Sequence, residues 1–140
     1  MRRKVACFLV TCLAFASVAG AAQLTSQEKA AVTAARKWLR LVDEGRYGES
    51  WRESAPFFRS RITQQRWRQA SQSVRKPLGA LVSRHLKTAV YKTSLPGAPD
   101  GQYVVMQFAS SFRKKASAVE TLTAVLGKRG AWRVVGYFIR

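Results

Sequence analysis

The chain is poor in the residues most often recruited for proton and metal chemistry. In 140 residues it has one histidine (His85), two cysteines (Cys7 and Cys12) and only seven acids. Both cysteines fall within the first apolar run, so everything beyond it lacks a thiol, a disulfide and a thiolate metal site. A lone histidine without cysteine also excludes the usual zinc sites, which need several nitrogen or sulfur ligands. There is no P-loop, GxSxG or HExxH motif. Paired-carboxylate catalysis needs two acids on facing walls, and the strand-rich half offers only Glu120. These absences point away from an enzyme, and no cofactor or metal is expected.

What is present begins with "MRRKVACFLVTCLAFASVAGAAQ". Arg2, Arg3 and Lys4 precede an apolar run from Val5 to about Val18, and small residues follow. This is the layout of a secretory signal peptide spanning residues 1–21, with Ala19-Gly20-Ala21 fitting the cleavage rule. The run is shorter than the ~20 apolar residues a spanning helix needs, and Cys12 sits inside it rather than at a lipidation site. The expected product is an exported, periplasmic domain, residues 22–140, that is not an integral membrane protein after cleavage.

That segment keeps 22 Lys and Arg against 7 acids, a formal charge of +15. From Ser54 onward the acids are Asp100 and Glu120 alone, and the net charge is +14. Export and the lack of any nucleic-acid motif argue against nucleic acid as the partner. Anionic envelope components such as lipid headgroups, lipopolysaccharide or acidic polymers fit the charge better.

The first half reads as helical. In "LTSQEKAAVTAARKWLRLVDEG", Thr25 and Glu28 form a capping box. Ala31, Ala34, Trp38 and Leu41 or Val42 recur at helical spacing, and Gly45 stops the helix. Tyr47 and Trp51 share a face of a shorter helix that Pro56 is expected to end, with Phe57, Phe58 and Ile62 as an apolar bridge. A third helix, capped by Thr63, carries a Trp67-Ala70-Val74 stripe and stops at Pro77. After Gly79 the period changes to that of strands. Ala80 to Leu95, "QYVVMQFASSF", "SAVETLTAVL" and "AWRVVGYFIR" are separated by turn signals. They predict a curved four-stranded antiparallel meander with the helices packed on it, an α+β domain.

Alternation along "LVSRHLKTAV" places Ser83, His85 and Lys87 on one face and Val82, Leu86 and Val90 on the other, with Arg84 and Thr88 interrupting the second. The apolar face is the expected core face, which turns His85 outward as an ordinary strand residue. A three-residue turn at Arg113-Lys114-Lys115 sets Glu120 opposite Phe108 and Leu122 opposite Met106. A four-residue turn at Gly127 to Gly130 sets Glu120 opposite Tyr137 and Leu122 opposite Val135. One face then reads Val104, Met106, Phe108, Leu122, Val135 and Ile139, with one carboxylate in it. A buried carboxylate has to be paired or protonated. Polar candidates for this core or pocket are Glu120, Tyr137, Tyr91 and Arg84. Asp43, Glu44, Glu49 and Glu53 are expected to pair in solvent with Arg40, Arg46 and Arg52. Trp38, Tyr47, Trp51, Phe58, Trp67, Phe108, Trp132 and Phe138 are read by default as core.

The segments "KWLRLVDEGRYGESW", "VRKPLGALVSRHLKTAVY", "TSLPGAPDGQYVVMQF", "KASAVETLT" and "WRVVGYFIR" resemble the exported bacterial family catalogued as domain of unknown function 4019. The order of elements is similar to the cone-shaped fold of nuclear transport factor two-like proteins. That resemblance implies a pocket between a concave sheet and the helices, but brings no activity with it. The expectation is a noncatalytic exported binding or accessory domain with a basic surface. It would bind anionic partners outside or a small ligand in the cone. The alternative is a small isomerase-, dehydratase- or hydrolase-like enzyme using Glu120 in the cone.

Overall fold

The computed structural model describes residues 22–140. The predicted signal peptide and its two cysteines lie outside the described residues. Four helices precede four strands: α1 (Ser26–Asp43), α2 (Tyr47–Glu53), α3 (Pro56–Arg61), α4 (Gln64–Arg75), then β1 (Leu81–Lys92), β2 (Tyr103–Phe112), β3 (Lys115–Leu126) and β4 (Trp132–Ile139). A single turn of 3-10 helix, Lys76–Leu78, carries Pro77 between α4 and β1. The strands pair in sequence order and antiparallel, giving the expected α+β meander.

The first helix begins and ends as its sequence specifies. Thr25 and Glu28 exchange the reciprocal side-chain-to-backbone hydrogen bonds of a capping box. At the other end Gly45 takes a positive φ of 73°. Its N–H reaches Val42 and the N–H of Arg46 reaches Leu41, which satisfies two carbonyls the helix leaves free. The helix buries Ala31, Val32, Ala35, Trp38, Leu39 and Val42 and touches all four strands. Opposite it lie Val104, Met106, Phe108, Leu122, Ala124 and Val134, each at most 1% exposed.

Pro56 starts a helix rather than only ending one. It occupies the first turn of α3, where a missing N–H costs nothing, and the expected apolar bridge becomes that helix. The stripe on α4 also differs from expectation. Ala70 and Val74 are exposed, and the buried residues are Trp67, Ser71 and Arg75 at steps of four. Arg75 replaces an expected apolar residue because it faces hydrogen-bonding partners described below, whereas the buried Ser71 hydroxyl meets none.

In the sheet, bulges decide which residues face the helices. Register shifts in β1 lie between Leu81 and Ser83 and between Leu86 and Thr88. Each extra residue reverses the alternation of faces. Arg84, Leu86, Ala89 and Tyr91 therefore share a face with Ser110, Phe108, Met106 and Val104, while Val82 and Val90 are 64% and 46% exposed. The Val82-Leu86-Val90 core face is thus corrected to one built on Arg84 and Leu86. His85 lies opposite Ala109 on the outer face and is exposed.

Phe108 does pair with Glu120, and Met106 with Leu122. The turn is nevertheless tighter than expected: Phe112 pairs with Lys115, and a register shift between Ser110 and Phe112 restores the alignment. Between β3 and β4 the expected register fails. Glu120 lies opposite Ile139 and Leu122 opposite Tyr137, with a shift between Thr123 and Ala124. The connection from Leu126 to Trp132 is one residue longer than expected, and the bulge at Val135 adds another. Val134, not Val135, becomes the core residue. Phe138 faces outward at 54% exposure instead of joining the core.

Candidate functional site

Four charged side chains meet between the helices and the sheet. Asp43 comes from the last turn of α1, Arg75 from the last turn of α4, Arg84 from β1 and Glu120 from β3. An aspartate at a helix C-terminus is unfavourable on its own, because the helix dipole places partial negative charge there. Two arginines reverse that. Arg84 donates from Nη1 to Asp43 Oδ2 at 2.7 Å and from Nη2 to Oδ1 at 2.9 Å, and Arg75 Nη2 donates to Oδ1 at 2.7 Å.

The second edge of Arg84 grips Glu120: Nε donates to Oε1 at 2.7 Å and Nη2 to Oε2 at 3.1 Å. A planar guanidinium is suited to bridging two carboxylates in this way. Ser110 Oγ also donates to Glu120 Oε1, and Tyr137 Oη donates to Oε2 at 2.7 Å. Arg75 Nη1 lies 3.7 Å from Oε2 and donates to Tyr137 Oη at 3.5 Å. The Arg75 guanidinium also sits over the Phe112 ring, 4.8 Å from its centre. Register explains the assembly. Arg84 is opposite Ser110, Phe108 is opposite Glu120, and Tyr137 is diagonal to Glu120, within reach of a long side chain.

The electrostatics are closed as well. Glu120 is 0% exposed and Arg75 7%. Two arginines balance two carboxylates. Burial alone would raise the Asp43 pKa, but the hydrogen bonds and charges of Arg84 and Arg75 outweigh it and hold the carboxyl below its ordinary 3.8. Burial lowers the arginine pKa values, yet hydrogen bonds to Asp43 and, for Arg84, to Glu120 leave both raised. Burial also raises the Tyr137 pKa, helped by the neighbouring Glu120 charge and its hydrogen bond, so the phenol stays protonated and donating.

Of the four polar candidates, Glu120, Tyr137 and Arg84 come together. Tyr91 does not: its hydroxyl donates to Gln102 Oε1 at 3.1 Å, away from the cluster. Asp43 departs from the expected solvated pairing and belongs to the network. Glu44 and Glu49 do pair with Arg46, and Glu53 with Arg133 at 3.8 Å. Arg75 and Ser110 were missed by the sequence reading. The spacing Trp67-Ser71-Arg75 was the available signal, a helical stripe whose polar members share the face of a buried tryptophan.

A second buried polar group locks the helices. Trp38 Nε1 donates to the Ser50 carbonyl at 2.8 Å and to Ser54 Oγ at 2.9 Å, and Trp67 Nε1 donates to Ser50 Oγ at 2.9 Å. Trp38, Trp67 and Tyr137 pack ring against ring, which connects this cluster to the charged one.

Two open clefts flank the core. One, about 520 Å³, lies between α1 and the start of β4 and includes Lys37, Trp38, Leu41, Trp132 and Arg133. The other, about 610 Å³, lies at the ends of α1 and α4 and touches Asp43 and Arg75. Neither is lined by Glu120. That carboxylate has no solvent-accessible surface. Among the described residues no cluster of three or more His, Cys, Asp or Glu is placed to hold a metal ion. No described helix is long and apolar enough to cross a membrane.

Fold and site together define an α+β domain built around a closed ionic network. Residues 34–137 match the family described as Protein of unknown function (DUF4019), and the chain belongs to that family. No curated protein matches the chain.

Proposed function

We propose that this chain is an exported, noncatalytic binding or accessory domain that engages anionic envelope components through its surface. One observation carries the reading: the distribution of paired and unpaired charge. Of the 22 Lys and Arg from residue 22 onward, only Arg46, Arg75, Arg84 and Arg133 reach a carboxylate within 4.0 Å. Among the acids, Asp43, Glu44, Glu49, Glu53 and Glu120 are all held by those four arginines. Glu28 is committed to its helix cap, and its pKa is lowered chiefly by the Thr25 backbone hydrogen bond. The outside therefore carries a large excess of positive charge with few internal partners, and such a surface attracts polyanions over a Debye length.

The closed network supports the noncatalytic side of the reading. A general base needs a free lone pair within reach of a proton to abstract. Both Glu120 oxygens are saturated with donors and dry. The order of elements also supports a cone like that of nuclear transport factor two-like proteins, with the cone interior filled by side chains around Glu120 rather than by a ligand.

Flotation of purified residues 22–140 with vesicles tests the proposal. Binding to phosphatidylglycerol vesicles, absent with phosphatidylcholine and lost between about 0.05 and 0.5 M salt, is the expected result. Failure to bind either phosphatidylglycerol or lipopolysaccharide at the low-salt end refutes it. The export half is checked separately by the intact mass of protein recovered from the periplasm, which should begin near Ala22 and contain no disulfide.

A further inference from the structure

The excess charge is not evenly presented. Arg52 near the end of α2 and Arg68 on α4 are both exposed, and neither reaches a carboxylate within 4.0 Å among the described residues. They nevertheless converge. A β-carbon placed on Gly48 would lie 2.7 Å from Gln64 Nε2, 3.2 Å from Arg68 Nη2 and 3.8 Å from Arg52 Nη1. Two guanidinium groups and a side-chain amide thus surround one point above a residue with no side chain. The concavity there is about 250 Å³ and is lined by Gly45, Arg46, Tyr47, Gly48, Glu49, Arg52 and Arg68. Gln64 Nε2 donates to the Gly48 carbonyl at 3.3 Å, which holds the amide in place and leaves its second N–H free. The rim carboxylate, Glu49, is bonded to Arg46 through both of its oxygens; Arg46 also serves Glu44, and Arg52 adds its charge to the balance at Glu49.

We propose that Arg52, Arg68 and Gln64 form a cradle over Gly48 for a tetrahedral oxyanion, a phosphate or phosphate monoester. Arg46, Arg52 and Arg68 against Glu44 and Glu49 leave one positive charge over at this concavity. An anion between Arg52 and Arg68 takes up that excess and accepts several charge-assisted hydrogen bonds at once. Gly48 is what lets Gln64 and Arg68 lie close over α2: a side chain there would push both of their nitrogens out of place. The proposal rests on the polyanion reading above and specifies where a phosphate group would seat. The same chemistry could be offered by a lipid headgroup or by free phosphate.

The test compares wild type with Arg52→Gln/Arg68→Gln, with Gly48→Ala, and with Arg113→Gln/Lys114→Gln. The last removes the same charge at the β2–β3 turn. Inorganic phosphate is titrated by thermal shift and calorimetry at constant ionic strength. Phosphatidylglycerol vesicles and phosphatidylcholine vesicles doped with phosphatidic acid form the lipid arm. Melting without ligand confirms that each variant folds. Phosphate affinity should fall at least about tenfold in Arg52→Gln/Arg68→Gln and in Gly48→Ala, and stay within about twofold in the turn variant. Vesicle binding that falls in parallel, and that phosphate competes away, assigns the site to a headgroup; loss confined to phosphate assigns it to free phosphate. Equal losses in the cradle and turn variants, or no phosphate response in wild type, overturn the cradle. If wild type still binds phosphatidylglycerol in that case, the broader polyanion reading stands without it.

Discussion

Neutralising Glu120 while keeping its shape should be far more damaging than its conservative chemistry suggests. In Glu120→Gln the buried cluster would hold Arg75 and Arg84 against Asp43 alone. The amide would also turn an N–H₂ toward donors at one of its two positions. Placed at Oε1 it meets Arg84 Nε at 2.7 Å; placed at Oε2 it meets Arg84 Nη2 at 3.1 Å. Ser110 and Tyr137 can rotate their hydroxyls to accept, but a guanidinium has no acceptor to offer. Removing one partner of a buried ion pair costs about 3–5 kcal/mol, against a total stability of about 5–15 kcal/mol for a domain of this kind. In urea, with a slope of about 1–3 kcal/mol/M, this lowers the denaturation midpoint by roughly 2 M. Arg84→Met should cost a similar amount, because it leaves two carboxylates with one arginine. The double variant Glu120→Gln/Arg84→Met tests the physical reason. It removes one charge of each sign and leaves Asp43 with Arg75, so its loss should fall short of the summed single losses by about 1–3 kcal/mol. A Glu120→Gln stability within about 0.5 kcal/mol of wild type, or strictly additive losses in the cycle, refutes the claim that this network holds helices to sheet.

Three further expectations follow from the same geometry. Because the Asp43 pKa is depressed in the folded state, its contribution is present above the unfolded value near 3.8 and disappears as pH falls through the folded one. Urea midpoints measured downward from pH 6 should drop more steeply for wild type than for Asp43→Asn, and identical slopes would contradict the linkage. Ser50→Ala should cost about 1–3 kcal/mol despite removing one oxygen, because it strands the buried Trp67 N–H; chemical denaturation reads it, and a neutral result would show that water replaces the hydroxyl. His85→Ala should stay within about 0.5 kcal/mol of wild type, as expected of an exposed residue on the outer sheet face, and any larger loss by the same assay would contradict that placement.

The parts of the fold legible in the sequence are those encoded by neighbouring residues. The capping box needs only Thr25 and Glu28, and the stop needs only Gly45. Alternation identified β2 and β3 because both faces of a paired inner strand are patterned over many residues. Alternation misled in β1. Its two bulges reverse the faces, and a bulge is set by how a strand fits its neighbour and the helices over it. Arg113-Lys114-Lys115 illustrates a compensation the local reading could not resolve. The turn is shorter by one residue, the bulge at Ser111 absorbs the difference, and Phe108 still meets Glu120. At the β3–β4 turn the longer connection and the bulge at Val135 add instead of cancelling, so Glu120 moves two residues along β4. A shift of two preserves the face, and so Tyr137 still reaches the carboxylate diagonally.

The charged cluster divides along the same line. Glu120 stood out because a carboxylate in an apolar strand pattern requires an explanation, and Arg84 because it interrupted a core face. Asp43 and Arg75 carried no comparable contrast. Each is the terminal charged residue of an amphipathic helix, a position where solvated charge is the rule. What draws them inward is tertiary: where the ends of α1 and α4 meet the sheet, Arg75 is buried and Asp43 largely so. The consequence is a division of charge. Four arginines take up five of the seven acids, two of them in the interior, and the remaining cations are left on the outside with few carboxylates to neutralise them. The scarcity of acids is therefore what leaves most of the surface cations without a carboxylate partner.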